Sequence, residues 1–319
     1  MALLILATLF WGLSFPVLKS LMLLQSRFWP GASDSLIVMG AVAPRFVFAT
    51  IIVLIPCLRQ KPAFTAREWQ QGAVVGAFAA AGLIVQIDGL RYTAASTSAF
   101  LTQFYALTIP VWLALRRRRW PSVTVMLASV MVLGGVALLG RFDWRQLHLG
   151  RGEWETLLAS LLFMGQILWL EHPAFAGTRG LPVTAVMFGI GSLVYVLLAL
   201  ENTPRLAMWT APLSSLPWLG LTAMLTVLST VATYLIMNAC QPKISSTQAA
   251  LLYCFEPIFG SLLALCLPAV FSRWAGIDYP NERLSLNLLL GGGLITAANL
   301  LIQWKPPPRT EAVLAAESH

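Results

Sequence analysis

The 319-residue chain is 58% hydrophobic and only 11% charged, and its mean hydropathy is +0.75. Because a soluble domain carries roughly 25% charged residues, a water-soluble fold of this composition would expose too much apolar surface to stay monomeric. The net charge of +8 is densest at Arg116 to Arg119, beside an apolar segment, which indicates orientation in a membrane rather than nucleic-acid binding.

The chain contains ten apolar segments, five in each half, and a membrane-spanning helix needs roughly 20 such residues. In chain order they lie near 3–22, 36–58, 69–90, 94–115, 120–140, 154–171, 181–200, 215–240, 245–270 and 285–304. The connections between them carry helix breakers or charges and leave no room for an extramembrane domain. We therefore predict an all-α integral membrane protein with ten transmembrane helices.

Short sequence matches recur in the same order in the two halves. Leu9 to Gly12 matches Leu162 to Gly165, Ala95 to Ala99 matches Ser245 to Ala249, and Leu133 to Gly135 matches Leu290 to Gly292. This order predicts a duplication, with repeats at 1–145 and 152–305. Because five is odd, the second repeat must enter the membrane from the opposite side, as in transporters that bind cargo between inverted repeats and alternate access by rocking. The alternative is a duplicated scaffold with a structural role.

Lysine and arginine residues predict the orientation, because cytoplasmic loops hold the excess of both. The tetrad Arg116 to Arg119 places the loop between segments 4 and 5 inside, and alternation places the basic residues from Arg59 to Arg67 inside as well. The second half is less decisive, because Arg141, Arg145 and Arg151 fall on the predicted outer side. Both termini are then cytoplasmic, and residues 306–319 after the proline run are expected to be disordered.

Several motifs resemble the ten-helix drug/metabolite transporter superfamily, specifically its EamA-type exporters. They are Phe10-Trp11-Gly12, Arg45, the small-residue start of segment 4 ending at Pro110, and the run from Ser245 to Pro257. The resemblance implies a bacterial inner-membrane exporter of small metabolites, aromatic amino acids among them, with a cavity lined by segments 1, 3, 4, 6, 8 and 9. Acidic residues that many members carry after segments 4 and 9 are missing here.

Polar groups within the apolar segments are the candidate site, because they need a buried partner or a wet cavity. Glu256 precedes Pro257, whose missing N–H frees a carbonyl one turn earlier. This carboxylate is a candidate to bind a substrate amine or carry a proton, and the alternative is a structural glutamic acid. The predicted substrate-binding residues are Trp11, Phe15, Gln86, Gln103, Gln166, Trp169, Tyr234, Gln248 and Glu256.

Other charged groups in or near the segments have two interpretations each. Arg45 either attracts carboxylates to a vestibule or binds carbonyls at a helix end. Asp88 and Arg91 are expected to form a local ion pair. Glu171 and His172 are either a proton relay or ordinary helix-end residues.

The sequence also argues against several chemistries. The four cysteines lack C-x-x-C spacing, the three histidines form no metal motif, and no phosphate-binding loop is present. We therefore predict no cofactor, no metal and no enzymatic activity. The expected partners are a small-molecule substrate and membrane lipid, and the protein is expected to be a monomer. Two alternatives stay open: efflux of lipophilic cations by the same fold, and a membrane enzyme.

Overall fold

The structure is a computed structural model that describes residues 1–60, 63–89, 92–93, 95–118, 120–139 and 150–304. Regular secondary structure within these ranges is helical. The helices of the first half are α1 (Ala2–Phe28), α2 (Asp34–Leu58), α3 (Ala66–Gly89), α4 (Ala95–Thr102), α5 (Tyr105–Arg117) and α6 (Val123–Leu139). The predicted tail at 306–319 lies outside the described residues.

The second half follows with a similar order of elements. Its helices are α7 (Arg151–Leu170), α8 (Gly180–Glu201), α9 (Thr210–Leu213), α10 (Leu216–Thr226), a π-helix (Val227–Ala232), α11 (Thr233–Cys240), α12 (Ser246–Tyr253), α13 (Glu256–Ala264), α14 (Leu267–Ala275) and α15 (Leu286–Trp304). The run from α10 to α11 is continuous.

Each predicted apolar segment contains at least one helix, but the helices differ in length. By length and composition, five candidate spans occur in the described ranges: α1, α2, α3, α8 and Leu216–Lys243. A sixth is Ser246–Ala264 together with Leu267–Ala275, which are bent by 59° relative to each other. The helices α6 and α15 are apolar but shorter. The chain is thus a multi-pass helical protein, and ten transmembrane helices remain a prediction.

Helix α3 packs against the second half of the chain through its glycines. A Cβ atom at Gly72 would lie 2.7 Å from the carbonyl oxygen of Val183 in α8, and one at Gly82 would lie 2.7 Å from the ring of Phe163 in α7. Small residues let helix backbones approach closely in a membrane, where van der Waals packing drives association. The first half therefore shares its packing with the second.

Helices at matching places in the two halves also contact each other. α2 packs on α8, and α6 packs on α15. A Cβ at Gly135 of α6 would lie 2.7 Å from the carbonyl oxygen of Gly291 in α15. Such pairing is expected when two repeats meet around an axis, although the inverted relation itself remains a prediction.

Two helices are broken at matching positions. α4 and α12 each contain eight residues, and in each case two residues separate the helix from the next one. At the second break, Pro257 lies in the first turn of α13, where its ring is tolerated, whereas it would clash with the preceding turn of a continuous helix. The first break, at Gln103 and Phe104, has no adjacent proline and is held by tertiary packing.

Candidate functional site

The two helix breaks contact each other in the interior of the bundle. The Cys254 thiol, in the second break, donates a hydrogen bond to Oε1 of Gln103 in the first break at 3.2 Å. After the breaks, Tyr105 begins α5 and Glu256 begins α13. The second half therefore places a carboxylate at the position where the first half places a phenol.

Glu256 is only partly buried, although it lies within the bent candidate span. Among the described residues its carboxylate accepts no hydrogen bond and forms no direct ion pair. It interacts electrostatically at longer range with Arg45 of α2 and with Tyr234 of α11. Its place at the N-terminus of α13 favours negative charge, since the helix dipole is positive there. The carboxylate is thus available to a ligand.

Arg45 lies near the middle of α2 and is 9% exposed. Its Nε donates a hydrogen bond to the Thr230 hydroxyl, and Nη2 donates to the carbonyl oxygen of Ser229 at 3.0 Å. Both acceptors belong to the π-helix. π-Helical turns occur mostly as single insertions in α-helices, frequently at functional sites. Arg45 therefore binds a carbonyl in the middle of a continuous helical run, not the helix-end carbonyls that one of the two sequence interpretations expected.

An aromatic cluster borders the same region and consists of Trp11, Phe188, Tyr234 and Tyr253. The Trp11 ring meets Tyr234 edge-on at 5.6 Å and Tyr253 at 5.2 Å between ring centroids. Phe188 meets Tyr234 at 5.6 Å. Edge-to-face rings attract each other and offer a π-face to a flat or cationic guest. Trp11 and Tyr234 were predicted from the sequence, whereas Phe188 and Tyr253 were missed.

The glutamines predicted to bind substrate lie in different environments. Gln86 Nε2 donates to the Thr102 hydroxyl at 2.9 Å, so Gln86 and Gln103 both lie at the first break. Gln166 is 6% exposed, and its Nε2 is 3.9 Å from the Met237 sulfur. Gln248 forms a capping box with Ser245 at the start of α12, which engages its side chain with its own helix.

The other two predicted aromatic residues lie outside the aromatic cluster. Trp169 stacks on His172 with centroids 5.5 Å apart, at the end of α7. Phe15 is 52% exposed and fills the space above Gly260, where a Cβ would lie 2.8 Å from its ring. The structure thus brings Trp11 and Tyr234 together but places Trp169 and Phe15 elsewhere.

The remaining charged residues mostly connect different elements. Asp88 pairs with Arg151 of the second half at 2.6 Å, and Arg91, its expected partner, lies outside the described residues. Glu171 accepts hydrogen bonds from the backbone N–H of Ser246, at 2.6 Å, and from its hydroxyl. His172 Nδ1 accepts from the backbone of Ala174 at 3.3 Å. These two side chains thus have separate partners.

An ion pair between a buried carboxylate and a half-buried arginine connects the two halves at the start of α3. Arg179, which precedes α8, binds both carboxylate oxygens of Glu68 at 2.6 and 2.8 Å and also donates to Gln60 at 2.8 Å. The hydrogen bond to Glu68 raises the pKa of Arg179 above its ordinary value. Glu68 is 2% exposed, so its charge depends on this partner.

The fold and site define a class of protein: a multi-pass helical membrane protein whose polar groups converge where two helices are broken. Residues 1–141 match the EamA-like transporter family. A relative from Archaeoglobus fulgidus, described as an uncharacterized transporter, is 23% identical over 271 residues, which is 83% of this chain and 76% of the relative. These likenesses support a membrane transporter in general.

A solved structure supports the fold alone. This structure, described as "Crystal structure of protein", aligns with 93% of this chain and 96% of its own length at a TM-score of 0.58. The sequence identity in that alignment is 15%. The likeness of fold therefore covers nearly the whole of both chains.

Proposed function

We propose that this protein is a bacterial inner-membrane transporter that exports small metabolites, with amino acids that carry aromatic or other apolar side chains as its cargo. The observation that carries this proposal is the Glu256 carboxylate at a helix break, which has no hydrogen bond or ion pair within the described ranges and follows Tyr253 of the aromatic cluster by three residues. A carboxylate binds an ammonium group, and aromatic faces bind an apolar side chain. Amino acids with apolar side chains combine both features.

The proposed mechanism is alternating access by two inverted five-helix halves that rock about the central site. Broken helices suit such a site, because irregular backbone in a membrane is tolerated only where it is buried in protein or lines a cavity. The mechanism uses no ATP. In this proposal the protein acts as a monomer, with both termini in the cytoplasm.

A second candidate function is efflux of lipophilic cations. The same carboxylate and the same π-faces favour it, because a cation over an aromatic ring is attracted by the ring quadrupole. The two candidates differ in whether the cargo also carries an anionic group.

The experiment that tests the proposal is flux in proteoliposomes with labelled amino acids and one lipophilic cation, with and without a proton gradient. We expect saturable flux of phenylalanine that falls sharply in Glu256→Gln, with Glu201→Gln as a matched control at the exposed end of α8. Cation flux alone supports the second candidate. Loss of flux equal in both variants overturns the assignment of Glu256.

The proton gradient separates two roles for the carboxylate. If Glu256 carries the coupled proton, wild-type flux responds to the gradient and Glu256→Gln flux does not. If Glu256 binds only the substrate amine, the gradient has no effect on either protein. A Glu256→Asp variant keeps the negative charge. If flux is retained in Glu256→Asp but lost in Glu256→Gln, the result supports a role for the charge of Glu256.

A further inference from the structure

In the part of the chain that the structure describes, Arg45 forms no ion pair; the ring of its neighbour Phe46 lies 5.5 Å from its guanidinium carbon and offers a π-face but no counter-charge. The acceptors that it binds, a hydroxyl and a carbonyl, are both neutral. Of the five N–H donors of a guanidinium, these bonds use two. A cation within a membrane span is costly and needs a counter-charge or a water-filled cavity. The charge of Arg45 therefore calls for an anion that neither acceptor supplies.

The surroundings of Arg45 connect it to the site described above. Arg45 interacts electrostatically with Tyr234, Tyr195 and Glu256. Among the described residues it forms no direct ion pair with Glu256. Ring contacts connect the surroundings of both charges: Phe46, next to Arg45, meets Phe188 edge-on at 5.9 Å between ring centroids, and Tyr253, three residues before Glu256, meets Trp11 at 5.2 Å. Tyr234 interacts with both charged groups and belongs to the aromatic cluster. Chain neighbours of both charged residues thus contact the same aromatic cluster.

The π-helix fixes the guanidinium but does not explain its charge. Bonds to Ser229 and Thr230 hold the side chain in one orientation, and a fixed guanidinium matches the two oxygens of a carboxylate. A neutral amide donor would satisfy the same hydroxyl and carbonyl at a lower desolvation cost. An arginine at this position is therefore better explained by an anionic ligand than by the π-helix alone.

We propose that Arg45 binds the carboxylate of the cargo, so that the transported molecule is a zwitterion with its carboxylate on Arg45 and its ammonium group on Glu256. The inference rests on the proposed function and names the substrate class of the same site. Arg45 repels a cargo that carries only a positive charge. It therefore determines specificity between amino acids and lipophilic cations.

The test compares competition for labelled phenylalanine flux in proteoliposomes by three analogues. Phenylethylamine lacks the carboxylate, phenylalanine amide replaces it with a neutral group, and 3-phenylpropionate lacks the amine. In the wild type we expect phenylalanine to compete roughly tenfold or more better than each analogue, the effect of losing one charged hydrogen-bond partner. Arg45→Gln should remove the preference for phenylalanine over its amide, whereas Arg205→Gln, at an exposed position, should keep it.

Each outcome either supports the inference or overturns it. Equal competition by phenylalanine and its amide in the wild type overturns it while leaving the proposed transport intact. If Arg45→Gln weakens competition by phenylalanine and by its amide equally, Arg45 only supports the π-helix, and the inference is again overturned. Absence of flux for every compound rejects the proposed function and the inference together. If Arg45→Gln does not fold, the preference for phenylalanine over its amide in the wild type and in Arg45→Lys, which keeps the charge, still tests the inference.

Discussion

At the scale of single residues, Gly12 marks the point where the backbones of α1 and α13 touch. A Cβ at Gly12 would lie 2.6 Å from the backbone nitrogen of Gly260 and 2.7 Å from Cβ of Phe259. Gly12→Ala must therefore push the helices apart, at a cost on the order of 1–3 kcal/mol for overpacking. We expect a lower melting temperature in detergent. Gly189→Ala in α8 is the control, because no atom lies within 4 Å of its added Cβ; equal melting temperatures for the two variants would contradict the prediction.

Single residues of the site were predictable to different degrees. Trp11 was predicted because segment 1 matches segment 6, and Tyr234 because segment 8 adds an aromatic face that suits a flat guest. Glu256 was predicted because a carboxylate in an apolar segment needs an explanation. Phe188 and Tyr253 looked like ordinary core residues, since nothing local indicates which distant ring they meet. Gln248 was assigned to the site from its helical face, although Ser245-x-x-Gln248 is also the pattern of a capping box.

At the scale of the element, the N-terminus of α12 is stabilised by two side-chain caps. Ser245 accepts a hydrogen bond from the backbone N–H of Gln248, and Glu171 accepts one from Ser246. We expect Ser245→Ala to lower the stability by about 1 kcal/mol, the usual cost of losing an N-cap. Ser245→Thr retains a capping hydroxyl and is the matched control. Thermal unfolding in detergent measures the stability of both variants. If Ser245→Thr lost as much stability as Ser245→Ala, the capping role of Ser245 would be excluded.

The π-helix gives a second prediction at this scale. It inserts one extra residue into the run from α10 to α11, so deleting the half-exposed Val227 should restore an α-helix. The residues after the deletion then turn by about 100° relative to those before it. Either the ring contact between Tyr234 and Trp11 is lost, or the hydrogen bonds of Arg45 to Ser229 and Thr230 are lost. We expect substrate flux to be abolished while the detergent-solubilised protein still elutes as a single species; unchanged flux would show that the π-helix is dispensable.

The helices themselves were largely predictable, whereas their interruptions were not. Long apolar runs located each helical region, and Pro257 explains the second break through its missing N–H. The break at Gln103 has no local signal, because it depends on contact with Cys254 from the other half. The bend before α14 lies at Cys266, and Pro268 follows in the first turn of α14. This proline is a helix-breaking signal in the sequence, but hydropathy alone does not detect it.

At the scale of the whole molecule, ion pairs join the two halves at both ends of α3, but they differ in burial. Glu68 and Arg179 are 2% and 38% exposed, whereas Asp88 and Arg151 are 33% and 59% exposed. Because exposed pairs contribute little, Arg179→Gln should lower the melting temperature more than Arg151→Gln does. Arg179→Gln should also lower the melting temperature more than Glu68→Gln does, because it leaves the buried Glu68 carboxylate without its counter-charge. The double variant Glu68→Gln with Arg179→Gln should recover part of the loss; no recovery would mean that the charges are not coupled.

The shared packing of the halves also predicts how the chain behaves when it is divided. If residues 1–145 and 150–319 are expressed as separate chains, neither should accumulate alone. The glycine face of α3 packs on α7 and α8, and α6 packs on α15, so each half alone leaves these faces without their partners. Co-expressed halves should assemble and purify together through a tag on one of them.

A matched pair of variants tests which surface holds the halves together. A Cβ at Gly76 of α3 would lie 2.9 Å from the carbonyl oxygen of Met187 in α8, whereas one at Gly189 would meet no atom within 4 Å. Gly76→Ala should therefore reduce the recovery of the second half, and Gly189→Ala should not. Stable accumulation of either half alone would instead mean that the repeats are independent domains. In that case the site between the helix breaks would form only by docking of two preformed bundles.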